Sequence, residues 1–464
     1  MKSAAGTASL SLGVQSPSDN WGKVAVFLIV GYLSMTRSFA YLGLPWISLY
    51  LGEMTLAAFL FFGPRTEQGP WLRVARHVRR LRRFEWLLLL LLCHGALEAL
   101  RGILSGYPAF TAARDTAFNY YPLFLFLGIW VGLRDRDFLR RAARALAWWN
   151  GCYGLAYVLF LGHLSWTMPG TSGASVDVPL FGQPYGSGMA LLGLVAFEPR
   201  LRRVWHLIAL NTLVMLWVQI RAEWVGFAVG ALVFAWCTKR VKPLAIATAA
   251  AVILLAVMYV AHIDLPSPET RGGRISADNL VARAVAPFNK DLAAGLASKE
   301  DVAQFTGNAE WRLVWWAMIW EQVHATTSST LLGFGYGYPI GDLNPFIEAG
   351  EFIQTPHNSF FYALGFSGWI GVLLFGLLQI ELLRLLWRGY TITCQPFGLM
   401  CWAALLFGSM FQDFFEAPFG AIPFYLLAGV ALAPGLLSAR VAPAGAAALP
   451  IPPPARRPRL EARE

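Results

Sequence analysis

Long apolar runs recur along almost the whole chain, and they restrict it to one class of fold. Apolar residues make up 56% of the 464 positions and charged residues only 14%. A helix needs about 20 apolar residues to cross the hydrocarbon of a bilayer. The sequence therefore predicts an all-α, polytopic integral membrane protein with about 12 transmembrane helices. The runs lie near 24–41, 43–62, 84–100, 118–133, 144–163, 186–198, 204–220, 222–237, 243–262, 366–387, 397–412 and 422–438.

One long polar stretch, residues 262–357, interrupts the apolar runs and must lie outside the bilayer. It divides the chain into residues 1–261, with nine predicted transmembrane helices, and residues 358–440, with three. The last segment, 441–464, is rich in Ala and Pro, a composition that predicts a disordered tail.

The net charge of +10 would suggest nucleic acid as a partner of a soluble protein. Here the excess lies in short connections between apolar runs, a pattern that reports membrane orientation and makes nucleic acid an unexpected partner. With an even number of spans, both termini are predicted to be cytoplasmic and residues 262–357 to lie on the opposite side. The basic connections are Arg73–Arg83, Arg134–Arg144, Arg200–Arg203 and Lys239–Lys242.

Within the polar stretch, residues 309–324 have the composition of an amphipathic helix that is apolar nearly all round. Such a helix must be covered by the rest of the loop or lie in the membrane interface. Its one cation, Arg312, has no acid three or four residues later. A bound anion is therefore an attractive partner, and the alternative is a cation–π contact with Trp316.

His357 stands where the polar stretch meets the next apolar run. A neutral imidazole can accept a proton from a hydroxyl at physiological pH, as a general base must. The alternative is a histidine that caps a helix at the interface. In the helix that follows, Gly365 and Gly368 would permit a break or close packing.

Other arginines are candidates for phosphate binding. Arg221 lies in a very short connection between two apolar runs, where a guanidinium could hold a lipid-linked phosphate. An ion pair with Glu223, or snorkelling to the interface, would explain it equally simply. Arg271 and Arg274 could add a mobile basic patch, although a solvated loop also accounts for them.

Several acidic residues are placed where they need partners. Asp413 and Glu416 lie at the outer end of an apolar run, where they could orient an imidazole or receive an arginine, or simply form a surface turn. Arg37, Glu53 and Glu98 fall inside apolar runs and should face the protein interior, where they could pair with one another.

Two further motifs are interpreted as structural. The Gly-rich segment, residues 333–339, resembles a phosphate loop but has no preceding strand, and the DxD at 135–137 lies in a short basic linker. No carboxylate cluster in the polar stretch has obvious metal spacing, so no metal and no cofactor are expected.

Four sequence segments together resemble the O-antigen ligase family. They are QIRAEW at 219–224, EWRLVWW at 310–316, GFGYGYP at 333–339 and PHNSFFYALGFSGWIG at 356–371. The resemblance covers most of the chain, and its most specific part is His-Asn-Ser followed by two glycines. One departure is Gln219-Ile220, where a serine more usually precedes the arginine.

The resemblance implies a bacterial inner-membrane enzyme that moves a glycan from undecaprenyl diphosphate to lipid A-core on the periplasmic face. It implies that His357 deprotonates the acceptor hydroxyl and that Arg221 and Arg312 bind the diphosphate. Separately from the resemblance, Asn358 and Asp413 are candidate supporting residues. A single displacement without metal would invert the anomeric configuration. An O-antigen polymerase, a protein O-oligosaccharyltransferase and a lipid or polysaccharide transporter remain alternatives.

Overall fold

The computed structural model describes residues 20–44, 49–62, 81–169, 175–198, 200–267, 274–346 and 355–438, without the side chains of 166–178, 308 and 309. Two predictions fall outside these residues, the phosphate contact of Arg271 and the disordered tail at 441–464. In the described part the chain is mostly helical, and its strands form three short antiparallel hairpins.

The helices follow the apolar runs and also occupy the polar stretch. They are α1 (Asn20–Ala40), α2 (Leu51–Phe62), α3 (Arg82–Leu104), α4 (Ala109–Asp115), α5 (Ala117–Tyr120), α6 (Phe124–Arg134), α7 (Phe138–Leu159), α8 (Ser187–Phe197), α9 (Trp205–Val218), α10 (Arg221–Thr238), α11 (Lys242–Val260), α12 (Ala277–Val285), α13 (Lys290–Ala294), α14 (Lys299–Val323), α15 (Thr327–Leu332), α16 (Ser359–Thr393), α17 (Phe397–Gly408) and α18 (Pro418–Ser438). The hairpins pair β1 (Gly43–Leu44) with β2 (Leu49–Tyr50), β3 (Ser165–Pro169) with β4 (Ser175–Pro179), and β5 (Leu265–Pro266) with β6 (Arg274–Ile275).

Each predicted apolar run contains a helix, which confirms the mostly helical fold. Among the described residues, six helical stretches are long and apolar enough to cross a membrane. They are α1, α3, the stretch Ala109–Arg134 that ends in α6, α11, α16 and α18. Because α2, α8, α9 and α17 are apolar but shorter, the number of about 12 transmembrane helices stays a prediction.

The long polar stretch is itself largely helical, since it contains α12 to α15. The helix predicted at 309–324 begins earlier, at Lys299, because the Ser298 hydroxyl caps it by accepting a hydrogen bond from the Asp301 amide at 3.1 Å. One face of α14 packs inward through Trp315 and Ile319, both fully buried. The opposite face leaves apolar side chains exposed, among them Leu313 and Trp320.

The centre of the bundle is the pair α6 and α18, which pack along each other. Their backbones approach closely because glycines face each other: a Cβ on Gly128 would lie 2.3 Å from the Leu426 carbonyl oxygen, and one on Gly429 would lie 2.2 Å from that of Leu125. Small residues are how membrane helices gain packing contacts. By contrast, α11 is almost entirely exposed and lies at the edge of the bundle.

The Gly-rich segment is built into the bundle beside a break in α16. At Gly368 the backbone has φ 59° and ψ −164°, which interrupts the helix. The Gly365 and Phe366 carbonyls accept hydrogen bonds from the amides of Phe334 at 2.7 Å and Gly335 at 3.0 Å. The segment therefore satisfies carbonyls beside the break, which supports its structural interpretation.

On its other side the Gly-rich segment is held by α3. Arg101 donates to the Gly333 carbonyl at 3.1 Å and also pairs with Glu98. Glu53 accepts a hydrogen bond from the Tyr121 hydroxyl at 2.9 Å. The expectation that the acids and the arginine of the apolar runs pair with one another is therefore wrong, because Glu98 and Glu53 have these other partners and Arg37 lies near Asp413. The expectation that Arg37 faces the protein interior is wrong as well, since its side chain is 63% exposed.

We predict that Gly102→Ala destabilises the protein, because a Cβ at Gly102 would lie 1.8 Å from the Tyr336 carbonyl oxygen of the Gly-rich segment. Overpacking of this kind costs about 1–3 kcal/mol, so the midpoint of thermal unfolding should fall by several degrees. The matched control is Gly376→Ala in α16, where nothing lies within 4 Å and alanine favours the helix. Equal midpoints in the two variants would contradict the proposed packing.

Candidate functional site

Four segments that are distant in sequence meet at one end of the bundle. They are the end of α1, the middle of α14, the residues just before α16, and the linker between α17 and α18, which spans residues 409–417. The contacts that join them involve His357, Arg312, Asp413 and Arg37. Every one of these side chains is ionisable, so the meeting point is a candidate site for charge and proton transfer.

His357 is fixed from two sides. Its Nδ1 atom lies 3.4 Å from Oδ1 of Asp413, and the edge of its ring meets Trp311 with 5.7 Å between ring centroids. The preceding residue is held as well, because Trp316 donates its indole N–H to the Pro356 carbonyl at 2.7 Å. His357 has φ 50°, in the left-handed region that few side chains adopt. The surroundings therefore set the orientation of the imidazole.

Asn358, and not His357, caps the helix α16. Its Oδ1 accepts hydrogen bonds from the amides of Phe360 at 2.9 Å and Phe361 at 3.2 Å, as an N-cap side chain does. Its Nδ2 donates to the Met410 carbonyl at 2.9 Å, which ties the start of α16 to the 409–417 linker. The interpretation of His357 as a helix cap is thus wrong, and Asn358 positions the residue before it.

Asp413 is buried between the His357 imidazole and the Arg37 guanidinium. Its Oδ1 faces His357, and its Oδ2 lies 3.8 Å from an Nη atom of Arg37 at the end of α1. Burial alone would raise the pKa of Asp413, but the His357 imidazole and the Arg37 guanidinium outweigh burial and hold this pKa below its usual value. Asp413 is therefore ionised at neutral pH.

The ionised Asp413 favours one tautomer of His357. A carboxylate can only accept hydrogen bonds, so in a neutral imidazole the proton is favoured on Nδ1, which faces Asp413 at 3.4 Å, and the lone pair on Nε2. Within the described residues, the Nδ1 atom makes no hydrogen bond. The same carboxylate would stabilise an imidazolium after Nε2 takes up a proton. A carboxylate facing one imidazole nitrogen is the arrangement that a general base with an orienting acid requires.

Arg312 reaches the same linker from α14. Its Nη1 donates to the Phe411 carbonyl at 3.0 Å, two residues before Asp413. Its guanidinium carbon lies 5.5 Å from the centroid of a Trp311 ring. The ring that Arg312 approaches is thus Trp311, whereas Trp316, the ring of the alternative interpretation, stacks on Phe361 with 5.3 Å between centroids.

Arg221 is the first residue of α10 and contacts the same helix as Arg312. Its Nη2 donates to the Phe305 carbonyl of α14 at 3.1 Å. Phe305 precedes Arg312 by two helical turns, about 10 Å along the axis. Glu223, the alternative partner from sequence, accepts a hydrogen bond from the Gly188 amide at 2.8 Å. Helix α14 thus links the two arginines.

Arg274 lies away from this cluster, in the hairpin β5–β6. Its Nε donates to Oδ1 of Asp264 at 2.5 Å, and both side chains are largely exposed. An exposed pair within a hairpin fits the solvated-loop interpretation. A contribution of Arg274 to phosphate binding stays a prediction.

Glu416 adds a second acid to the 409–417 linker. The Ser359 hydroxyl donates to its carboxylate. Burial, together with the negative charge of Asp413, raises the pKa of Glu416 to about 8. Glu416 is thus protonated at neutral pH, which leaves Asp413 as the ionised partner of His357.

We predict that Glu416→Gln weakens the pH dependence of stability. The folded protein holds the proton up to about pH 8, whereas the ordinary pKa is 4.5, so the folded state binds more protons between these values. Stability therefore falls as pH rises through this window. Glutamine does not titrate, so the thermal midpoint of the variant should fall less between pH 5 and pH 8. The control is Glu300→Gln at an exposed position, and identical slopes for wild type and Glu416→Gln would refute the assignment.

Arg37 is the site residue that sequence reasoning missed. The sequence shows it as a cation inside an apolar run, and such a cation needs a partner. It does not show that this partner is Asp413, which lies near the other end of the chain. Among the described residues, no group of three or more His, Cys, Asp or Glu side chains could hold a metal ion.

Residues 206–376 match the family described as O-antigen ligase. The matched stretch contains Arg221, Arg312, His357 and the Gly-rich segment, and it ends before Asp413. No curated protein matches the chain. The match contains all four sequence segments and confirms the resemblance over these residues, which are less than half of the chain.

Proposed function

We propose that this membrane protein is a glycosyltransferase of lipopolysaccharide biosynthesis, because its residues 206–376 match the O-antigen ligase family. It transfers O-antigen polysaccharide from undecaprenyl diphosphate to lipid A-core oligosaccharide on the periplasmic face of the bacterial inner membrane. The observation that carries this proposal is that His357 and Arg312 both contact the 409–417 linker. His357 contacts it at Asp413, and Arg312 contacts it at the Phe411 carbonyl.

In the proposed reaction, Nε2 of His357 takes the proton of an acceptor sugar hydroxyl as its oxygen attacks the anomeric carbon of the donor. The bond between that carbon and the diphosphate oxygen breaks, and undecaprenyl diphosphate leaves with the bonding electrons. One displacement inverts the anomeric configuration. Asp413 stabilises the imidazolium that results and keeps Nε2 directed at the acceptor.

The two arginines act on the leaving group. Charge develops on the diphosphate as the glycosidic bond breaks, and guanidinium groups placed there lower the energy of the transition state. Arg312 lies next to the His357–Asp413 pair, and Arg221 lies further along α14, so a diphosphate could extend from one to the other. Arg37 acts through Asp413, because it contacts the carboxylate oxygen that does not face His357.

Both substrates carry lipid tails and reach the site from the membrane. The outer face of α14 leaves Leu313 and Trp320 exposed, as is typical of a helix that lies in the membrane interface. An interfacial α14 would hold Arg312 at the depth where the diphosphate of a membrane lipid resides. The polar stretch would then act as a lid over the site.

The ligase assignment is tested with purified protein in lipid nanodiscs that contain undecaprenyl-diphosphate-linked glycan. Addition of lipid A-core should produce glycan-bearing lipid A-core, and omission of it should leave the glycan length unchanged. Chain growth without lipid A-core would identify an O-antigen polymerase. Transfer to a pilin-like protein would identify a protein O-oligosaccharyltransferase, and movement of lipid across the bilayer without bond formation would identify a transporter.

We predict that His357→Ala and Arg312→Ala each nearly abolish transfer. Loss of a general base lowers the rate by about 10²–10⁴-fold, and loss of one group that stabilises developing charge costs about 10²–10³-fold. Arg312→Lys should recover only part of the activity, because lysine lacks the planar fork of donors. The controls are His206→Ala and Lys290→Ala, two exposed side chains outside the cluster. Full activity of either site variant in folded, inserted protein would refute the mechanism.

We also predict that EDTA leaves the rate of transfer unchanged, because two guanidinium groups can neutralise the diphosphate that a divalent cation neutralises elsewhere. The rate is measured after dialysis against EDTA and again after addition of Mg²⁺ or Ca²⁺. Loss of activity that either ion restores would replace the arginine-only account with a metal-assisted one.

A further inference from the structure

A basic cleft of about 830 Å³ lies between the ends of three helices. Its walls are the end of α8 with the segment that follows it, the end of α10, and the start of α11. The cationic side chains that line it are Arg200, Arg202, Arg203, Lys239, Arg240 and Lys242. Two of the basic connections recognised in the sequence therefore converge on one cavity.

This cleft lies at the opposite end of the bundle from the His357 cluster. Helix α10 begins at Arg221, which contacts α14, and ends at Thr238 beside the cleft. A helix of its 18 residues is about 27 Å long. The cleft is therefore separate from the proposed transferase site.

The cations of the cleft have little opposing charge within the described residues. The one acid in its lining, Glu198, accepts a hydrogen bond from Arg144 at 2.5 Å and lies near Arg140, both of which belong to α7. The hydrogen bond from Arg144 lowers the pKa of Glu198, so its charge is present and already balanced. None of the six cations forms an ion pair with a carboxylate that the structure describes. Their mutual repulsion favours a bound anion.

Half of the lining is apolar, which distinguishes the cleft from a simple basic surface. Phe234 is buried at its base, while Val241 and Ile246 on the α11 side are 67% and 48% exposed. Helix α11 continues this exposed apolar surface along its whole length. A ligand with an anionic head and hydrocarbon chains would satisfy both halves, whereas a soluble phosphate would contact only the basic half.

We propose that this cleft binds an anionic phospholipid, with its headgroup phosphates on the cations and its acyl chains along α11. A lipid of the cardiolipin class, with two phosphates in one headgroup, fits six cations around a single cavity. The rule that basic loops set the orientation of a membrane protein explains why each connection is positively charged. It does not explain why two of these connections enclose one cavity with an apolar wall.

The bound lipid would add contacts that hold α11 against the bundle. Among the described side chains of α11 only Met258 is buried, so the protein itself supplies few contacts there. Helix α11 leads directly into the polar stretch that carries Arg312. The lipid is therefore expected to raise thermal stability through α11, which is a separate effect from catalysis at His357.

The test compares two triple variants that remove equal charge. Arg202→Gln, Arg203→Gln and Arg240→Gln change the cleft, whereas Arg82→Gln, Arg83→Gln and Arg136→Gln change exposed arginines outside it. Native mass spectrometry after extraction measures lipid retained from nanodiscs of phosphatidylethanolamine alone, with phosphatidylglycerol, or with cardiolipin. Thermal midpoints are measured in parallel.

Wild type and the control variant should retain cardiolipin, and the cleft variant should retain at least tenfold less. Cardiolipin should raise the midpoint of thermal unfolding of wild type and of the control variant, but not that of the cleft variant. Equal losses in both variants would show only general attraction between basic loops and anionic lipid, and would overturn the proposal. Displacement of the lipid by inorganic phosphate at millimolar concentration would also overturn it, in favour of a phosphate site. Retention unchanged in the cleft variant would place the lipid elsewhere.

Discussion

The contact between His357 and Asp413 is the interaction on which the proposed chemistry depends. A buried carboxylate without cations would take up a proton, and it would then no longer determine which imidazole nitrogen carries the lone pair. Asp413 remains ionised because His357 lies against one oxygen and Arg37 lies near the other. Glu416, a few residues away, has no such partner and holds its proton to about pH 8. Two neighbouring acids thus differ in charge because their surroundings differ.

The helices around this contact hold it in place through backbone geometry. The break of α16 at Gly368 makes room for the Gly-rich segment, whose amides pair with carbonyls beside the break. Helix α14 is held by hydrogen bonds of two tryptophans, from Trp315 to the Ile340 carbonyl and from Trp316 to the Pro356 carbonyl. Because Pro356 precedes His357 directly, the same helix that carries Arg312 also sets the position of the imidazole. Helix α14 therefore connects Arg312 to His357 through its hydrogen bond to Pro356.

The sequence predicted features that depend on local composition. Apolar runs became helices, and the break at Gly368 occurs where glycine was recognised. The start of α14 was placed too late because the Ser298 cap lies in a polar segment that the apolar pattern does not reach. The sequence did not indicate that Arg312 approaches Trp311, or that Trp316 stacks on Phe361, because the latter pair joins two separate segments of the chain. Arg37 was missed as a partner of Asp413 because the two residues lie far apart in the chain, where neither local composition nor spacing links them.

The most direct test of the account is the steady-state kinetics of Asp413→Asn, in which the side chain keeps its shape but loses its charge. The account predicts that kcat falls by about 100-fold or more while the KM for the lipid-linked donor changes little, because the arginines remain and only the orientation and basicity of His357 are lost. An unchanged kcat, or a higher KM for the donor with kcat preserved, would contradict the claim that Asp413 makes His357 the base.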